Sequence, residues 1–323
     1  MFLRCSVLIF VLAASCKGEI LSRRTAGSAT SSEETKKTCT KLVNAKETTE
    51  YPSVVFIKQF LSNSSFYCSG IWVGHNVLLT SWGCIDTDLK PEVTIAVTGE
   101  SIDVTELETY KSVKAIKVLQ NGVVGKQDSV NDKKELQGLG IAIFPDNTAP
   151  AITEIYQEHP ADNSQVTLIG FGNPNAPGEP RTGDSAVFVK RIGTNKLIQA
   201  NQINFNGMQG IFGVLGNPKQ NSDGSTANTI SGENDDGAAM LLDGKLVGLS
   251  ALTVTADGGD PLMSAGTLYI ALESSASKAL IEEAKKQGAV FGNPPKEEEK
   301  GEKDPKPTES EEKKGEDNTS ECP

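Results

Sequence analysis

Between Leu42 and Asn293 the chain runs as short β-branched stretches cut by Gly, Asn, Asp and Pro. The apolar runs fall at residues 53–58, 69–80, 92–97, 112–119, 140–144, 165–171, 186–192, 238–242 and 245–252. Runs this short, with turn residues at most breaks, suit strands and not helices. One segment has helical periodicity. In residues 273–287 (ESSASKALIEEAKKQ), Ala276, Leu280, Ile281 and Ala284 share a face, and Gly288 follows as a stop. The expectation is an all-β body closed by one C-terminal helix.

Neither end belongs to that body. Arg4 and the apolar residues 5–15 read as an export signal, too short to span a bilayer. The signal closes on Leu12-Ala13-Ala14-Ser15-Cys16, which resembles a bacterial lipobox with Cys16 as the lipidated residue. Ordinary cleavage nearby, releasing a secreted protein, is the other reading. Both place the chain in the cell envelope or the medium, where disulfides persist. A lipid on Cys16 is the only membrane contact expected. Residues 17–41 are polar and aperiodic and read as a linker or pro-segment. Residues 291–323 are an acidic Pro/Glu/Lys tail, with eleven acids and six lysines from Pro294 onward. So little apolar surface does not offset the entropy of ordering, and the tail is expected to be disordered.

Composition removes several functions. Lys and Arg number 31 against 42 Asp and Glu, a formal charge of −11, and no basic block is present. Nucleic-acid binding draws much of its affinity from basic residues that replace counterions, so none is expected. The two histidines, His75 and His159, exclude a multi-His zinc site. The acidic run Glu233, Asn234, Asp235, Asp236 lacks EF-hand spacing, so neither metal nor cofactor is expected. Of six cysteines, Cys68 and Cys84 bracket one apolar run and read as a disulfide across a hairpin. If Cys16 is lipidated, Cys39 and Cys322 remain as a pair; free thiols or a Cys16–Cys39 bond are the alternatives.

The bracketed run, CSGIWVGHNVLLTSWGC, resembles the C-G-G-x-L-I-x-x-x-x-V-L-T-A-A-H-C segment of trypsin-like serine proteases. Other segments follow in the family's order. Leu42-Val43-Asn44-Ala45 after Lys41 resembles the activation junction. Gly140-Ile141-Ala142-Ile143 resembles the D-I-A-L strand, and Val166 to Gly172 the V-x-G-W-G strand. Lys190 to Asn195 resembles a segment of bacterial members. Asn234 to Met240 resembles the nucleophile motif G-D-S-G-G-P-L, and Lys245 to Ser250 the strand after it. The resemblance implies two packed six-stranded antiparallel β-barrels, over residues 42–150 and 151–272, with the terminal helix at 273–290.

The departures bear on function. The family's chemistry needs a serine nucleophile, a histidine base and an aspartate to orient it. The seats that the resemblance assigns to histidine, aspartate and serine hold Gly83, Gly140 and Asp236. Ile230 occupies the floor of the specificity pocket, and Gly232 replaces the pocket cysteine. Backbone N–H groups of Asn234 and Asp236, the former oxyanion loop, are expected to face the Asp236 carboxylate. Asp235 matches the aspartate that pairs with a new amino terminus, which cleavage between Lys41 and Leu42 would supply. Ser231 lies at the base of the pocket with no lysine close in sequence. His75 is expected on the strand leading to Thr80, and His159 on the surface. The reading is a pseudoprotease that binds a protein or peptide ligand. An active serine endopeptidase with an atypical triad is the competing reading.

Overall fold

In the computed structural model of the protein, the described residues are 42, 44–61, 64–121, 123–129, 132–172, 187–199, 210–216, 225–231, 235–255 and 265–292. The export signal, the 17–41 segment and the acidic tail lie outside them, and so do Cys16, Cys39, Lys41, Asn234 and Cys322.

The first half forms β1 (Lys46–Glu47), β2 (Val54–Leu61), β3 (Ser64–Trp72), β4 (Val77–Ser81), β5 (Thr94–Thr98), β6 (Ser101–Asp103), β7 (Lys111–Lys114), β8 (Lys117–Gln120), β9 (Val123–Ser129), β10 (Asp132–Gln137) and β11 (Leu139–Ile143). The second forms β12 (Gln165–Gly170), β13 (Val187–Val189), β14 (Arg191–Lys196), β15 (Ile198–Gln199), β16 (Ile211–Gly216), β17 (Ala239–Leu242), β18 (Lys245–Thr255), β19 (Ala265–Ala271) and the helix α1 (Ser275–Lys286). Two curled sheets result, in the orders β7-β5-β2-β3-β4-β11-β8 and β1-β14-β12-β17-β18-β19-β16-β15. Two ribbons, β9–β10 and β6–β13, complete the strand pairing.

Strand alternation explains the continuous apolar runs. Val55 and Ile57 point into a core made of the first sheet and the segments next to it, with Trp72, Leu78, Ala142 and Phe144. Val54 and Phe56 point the other way, into a core shared with Ile169, Phe171 and Leu249 of the second sheet. The second sheet has its own interior around Leu168, Phe212, Met240 and Tyr269. A strand buried on both faces shows no polar alternation. The β6–β13 ribbon ties the two halves, with Phe188 packed against Phe56 and Tyr67.

The expected run at 69–80 is two strands. Gly74, His75 and Asn76 turn the chain between β3 and β4, so His75 sits in that bend and not on a strand. The helix departs by one residue on its apolar face. Ala276 is exposed and Ser277 is buried, its hydroxyl donating to the Ala271 carbonyl at 2.9 Å. The Ser274 hydroxyl caps the helix by accepting the Ser277 N–H. Beyond the helix, Gly292 donates to the Val73 carbonyl at 2.8 Å, and Asn76 bridges Gly288 and Val290. This fastens the chain end to the first sheet. The approach leaves no room for a side chain at Gly74, where a Cβ would overlap the Val290 carbonyl.

Candidate functional site

The centre of the site is one disulfide. Cys68 of β3 and Cys84 of a single 3-10 turn, Trp82–Cys84, are bonded with their Cα atoms 6.0 Å apart. The turn is held beside the start of β11, as Trp82 N–H donates to the Gly138 carbonyl at 2.8 Å. Gly140 pairs with Thr80 in the β4–β11 register. From the turn before β17, the Asp236 carbonyl accepts the Ser69 N–H at 2.9 Å. The same oxygen lies 3.5 Å from the Cys84 sulfur, a contact without a donor because that sulfur is oxidised. Gly83, Gly140 and Asp236, far apart in sequence, therefore gather around this disulfide.

Two of these positions carry no functional side chain, and one has no room for any. A Cβ at Gly140 would lie 2.9 Å from the Ser81 carbonyl oxygen and 3.1 Å from Ile85 Cδ1. Neither histidine is nearby. His75 is separated from Ser81 by the length of β4, about 16 Å at the usual rise. His159 is exposed, with Nδ1 2.6 Å from Glu273 Oε1.

The turn at 235–237 is fixed by close contacts. Gly237 has φ +79°, and a Cβ there would strike the Ser69 carbonyl and Thr80 Oγ1. Asp235 is fully buried and accepts the Gly172 N–H. A Cβ on Gly172 would fall 2.0 Å from Asp235 Cγ, so glycine is required there. Asp236 differs from its neighbour. It is partly buried, and its carboxylate takes no hydrogen bond or ion pair among the described residues. Burial pushes that carboxyl up to about 6. Asn234 lies outside the described residues, so the expected facing of the oxyanion-loop N–H groups onto this carboxylate stays an expectation; Gly237 N–H donates to the Ser250 carbonyl at 2.7 Å.

The pocket floor is closed by side chains. Ile230 is fully buried in the interior of the second sheet. Ser231 N–H donates to Thr267 Oγ1 at 2.9 Å, and its hydroxyl meets the Tyr269 hydroxyl at 3.0 Å. Thr253 Oγ1 donates to the Ser231 carbonyl at 3.1 Å. Ser231, Thr267 and Tyr269 are fully buried. Burial raises the Tyr269 phenol, the Ser231 hydrogen bond opposes this, and Asp235 adds to the rise. Sequence reading missed Thr253 and Thr267. They become partners only through the β18–β19 register, which sets them directly opposite.

Around the activation junction, Leu42 is fully buried. The segment after it is held by Thr229, whose hydroxyl donates to the Asn44 carbonyl at 2.8 Å. Among the described residues, no group of three or more His, Cys, Asp or Glu is placed to hold a metal ion.

No protein-family model matches this chain, and no curated protein does. Solved structures do. Human heparin binding protein covers 77% of this chain and 99% of its own, at 12% identity and TM-score 0.51. A scabies mite inactivated protease paralogue covers 77% and 98%, at 14% identity and TM-score 0.50. The chain has the trypsin-like fold. At these identities the likeness carries the architecture alone, and function rests on the residues of the site.

Proposed function

We propose that this trypsin-fold chain is a pseudoprotease that binds a protein or peptide ligand and does not cleave it. One observation carries the reading. The seats that the resemblance assigns to the triad hold Gly83, Gly140 and Asp236, and this supports the reading because Gly83 adjoins the Cys68–Cys84 disulfide and the Asp236 carbonyl lies against it. Glycine cannot move a proton, and the chemistry needs all three groups acting as a unit. The apolar Ile230 at the assigned pocket floor supports the same reading, because it offers no charge partner for a basic substrate side chain. The export signal adds an envelope or secreted location, with Cys16 as the lipid anchor. Asp235 keeps the seat for an amino terminus at Leu42, which a cut after Lys41 would create.

The test is an active-site fluorophosphonate together with a peptide library, applied to the mature protein with and without cleavage after Lys41. Neither labelling nor hydrolysis is expected. Stoichiometric labelling of any serine would overturn the reading in favour of an active endopeptidase. Affinity capture from the native envelope then identifies the ligand.

A further inference from the structure

The geometry points to the Asp236 carboxylate as the receptor for a cationic side chain, lysine or arginine, presented by the peptide or protein ligand. This rests on the reading above, in which position 236 no longer serves hydrolysis.

The first support is the mismatch between a fixed backbone and an unmet side chain. The Asp236 carbonyl is tied to Ser69, the disulfide packs against it, and Gly237 holds a left-handed turn. The backbone is therefore set before any ligand arrives, which lowers the ordering cost of binding. The carboxylate on that backbone has no partner among the described residues. Its neighbour Asp235, one residue away, is fully buried and hydrogen-bonded.

The second support is the charge environment. The elements that meet this turn are β3, β4, the Trp82–Cys84 turn, β12, β17 and β18. The first five carry no lysine, arginine or histidine. β18 carries one, Lys245, at its far end and paired with Glu154 at 3.0 Å. The other titratable groups on or beside these elements are Asp235, Tyr269 beneath the turn, and Tyr67, which packs on Phe56 and Phe188. None supplies a positive charge. No cation of these described elements stands ready to pair with Asp236, which leaves the carboxylate available to one from a ligand. The chain's charge of −11 favours approach of a cation at long range.

The third support selects the ligand class. A metal ion wants several oxygen or nitrogen ligands, and no such cluster stands here among the described residues. A single carboxylate suits an ammonium or, in two-point contact, a guanidinium. Ser231, Thr267 and Tyr269 already satisfy one another, so these buried groups do not compete with Asp236 for the cation.

A desolvated carboxylate that titrates near 6 makes this binding depend on pH. The cation binds the ionised form. From pH 7.5 down to pH 5 the ionised fraction falls about tenfold, and affinity falls with it.

The experiment uses blocked hexapeptides of alanine with arginine, lysine, norleucine or glutamate at the third position. They are titrated into the full mature protein carrying carbon-13 in its aspartate carboxyls. Arginine and lysine peptides should shift the Asp236 signal, lower its titration midpoint, and bind about tenfold more weakly at pH 5 than at pH 7.5. Asp236→Asn should remove the preference over norleucine, and Asp236→Glu should retain it; circular dichroism checks that each variant is folded. Equal binding of arginine and norleucine peptides, or an unchanged preference in Asp236→Asn, overturns this inference. Cleaved peptides, seen by mass spectrometry, would instead overturn the pseudoprotease reading on which it rests.

Discussion

Gly140→Ala tests whether the aspartate seat is closed. The added Cβ would stand 2.9 Å from the Ser81 carbonyl oxygen and 3.1 Å from Ile85 Cδ1. Both are a few tenths of an ångström short of ordinary contact. The first neighbour is backbone, locked by the Gly140↔Thr80 and Leu139↔Ser81 pairs, so it yields little. The second is a methyl group in a filled core. Overpacking of this kind costs about 1–3 kcal/mol. At roughly 2–4 °C per kcal/mol for a body of this size, the melting temperature should fall by between about 2 and 12 °C. Ile85→Val removes the Cδ1 atom at its own cost of about 0.5–1.5 kcal/mol. In the double variant the two costs should sum to less than their separate values, because they share one contact. Urea unfolding of the four oxidised proteins measures all of this. If Gly140→Ala is as stable as the parent, the seat is open and the reasoning fails. Gly83→His, Gly140→Asp and Asp236→Ser together would then fit without remodelling. If the seat is closed, that triple variant should label with a phosphonate only when Ile85 is also made smaller.

Loss of the disulfide in a Cys68→Ala, Cys84→Ala variant should cost about 3 kcal/mol on the chain-entropy estimate, read from the urea midpoint. An unchanged midpoint would contradict it. Asp236→Asn should stabilise the protein at pH 7. The folded carboxyl, at about 6, lies above its ordinary value of 3.8, so the folded state holds more protons between those values. Stability of the parent therefore falls as pH rises through that window, by on the order of 3 kcal/mol. The advantage of Asp236→Asn should vanish near pH 4 in unfolding curves. Lys190 is buried, donates to the Tyr51 carbonyl at 3.2 Å, and is shifted down by desolvation, with Glu100 opposing. Its folded value lies below the unfolded one, so the unfolded chain binds more protons as pH approaches 10.5, and parental stability should rise there. Lys190→Met should lack that rise in melts from pH 8 to 11.

The parts of the fold that could be read in advance are those where local chemistry and burial agree. Leu280, Ile281 and Ala284 of the helix are buried as their spacing requires. Cys68 and Cys84 are bonded. What escaped was set by register or by polar strands. The β9–β10 hairpin carries lysines and acids without period, so no pattern marks it. β19 is a run without polar alternation whose position only pairing with β16 and β18 defines. The turn inside residues 69–80 was masked by apolar residues on both sides, although Gly74 and Asn76 are turn-forming residues. At the site, the three seats rest on the resemblance to a known motif. The reason Gly140 has no space was not legible, because Ile85 reaches it through the fold.

The seats have been filled by different physics, and that difference bears on function. At Gly140 the volume an aspartate would need is taken by Ile85 and the Ser81 carbonyl. At the pocket floor, Ile230 joins the interior, and Ser231, Thr267 and Tyr269 satisfy one another. Both solutions are what a protein adopts when a cavity has no further use, since unfilled volume and unmet polar groups are costly. Position 236 has neither solution. Its backbone is held as firmly as its neighbours, yet its side chain is a partly buried carboxylate without a partner among the described residues. An apolar residue or an asparagine would be cheaper there by the same accounting that explains Ile85 and Ile230. A local cost with no compensation among the described residues fits compensation by a bound ligand. Of the three seats, Asp236 is therefore where a ligand should leave its mark, and Asp236→Asn should trade binding for stability.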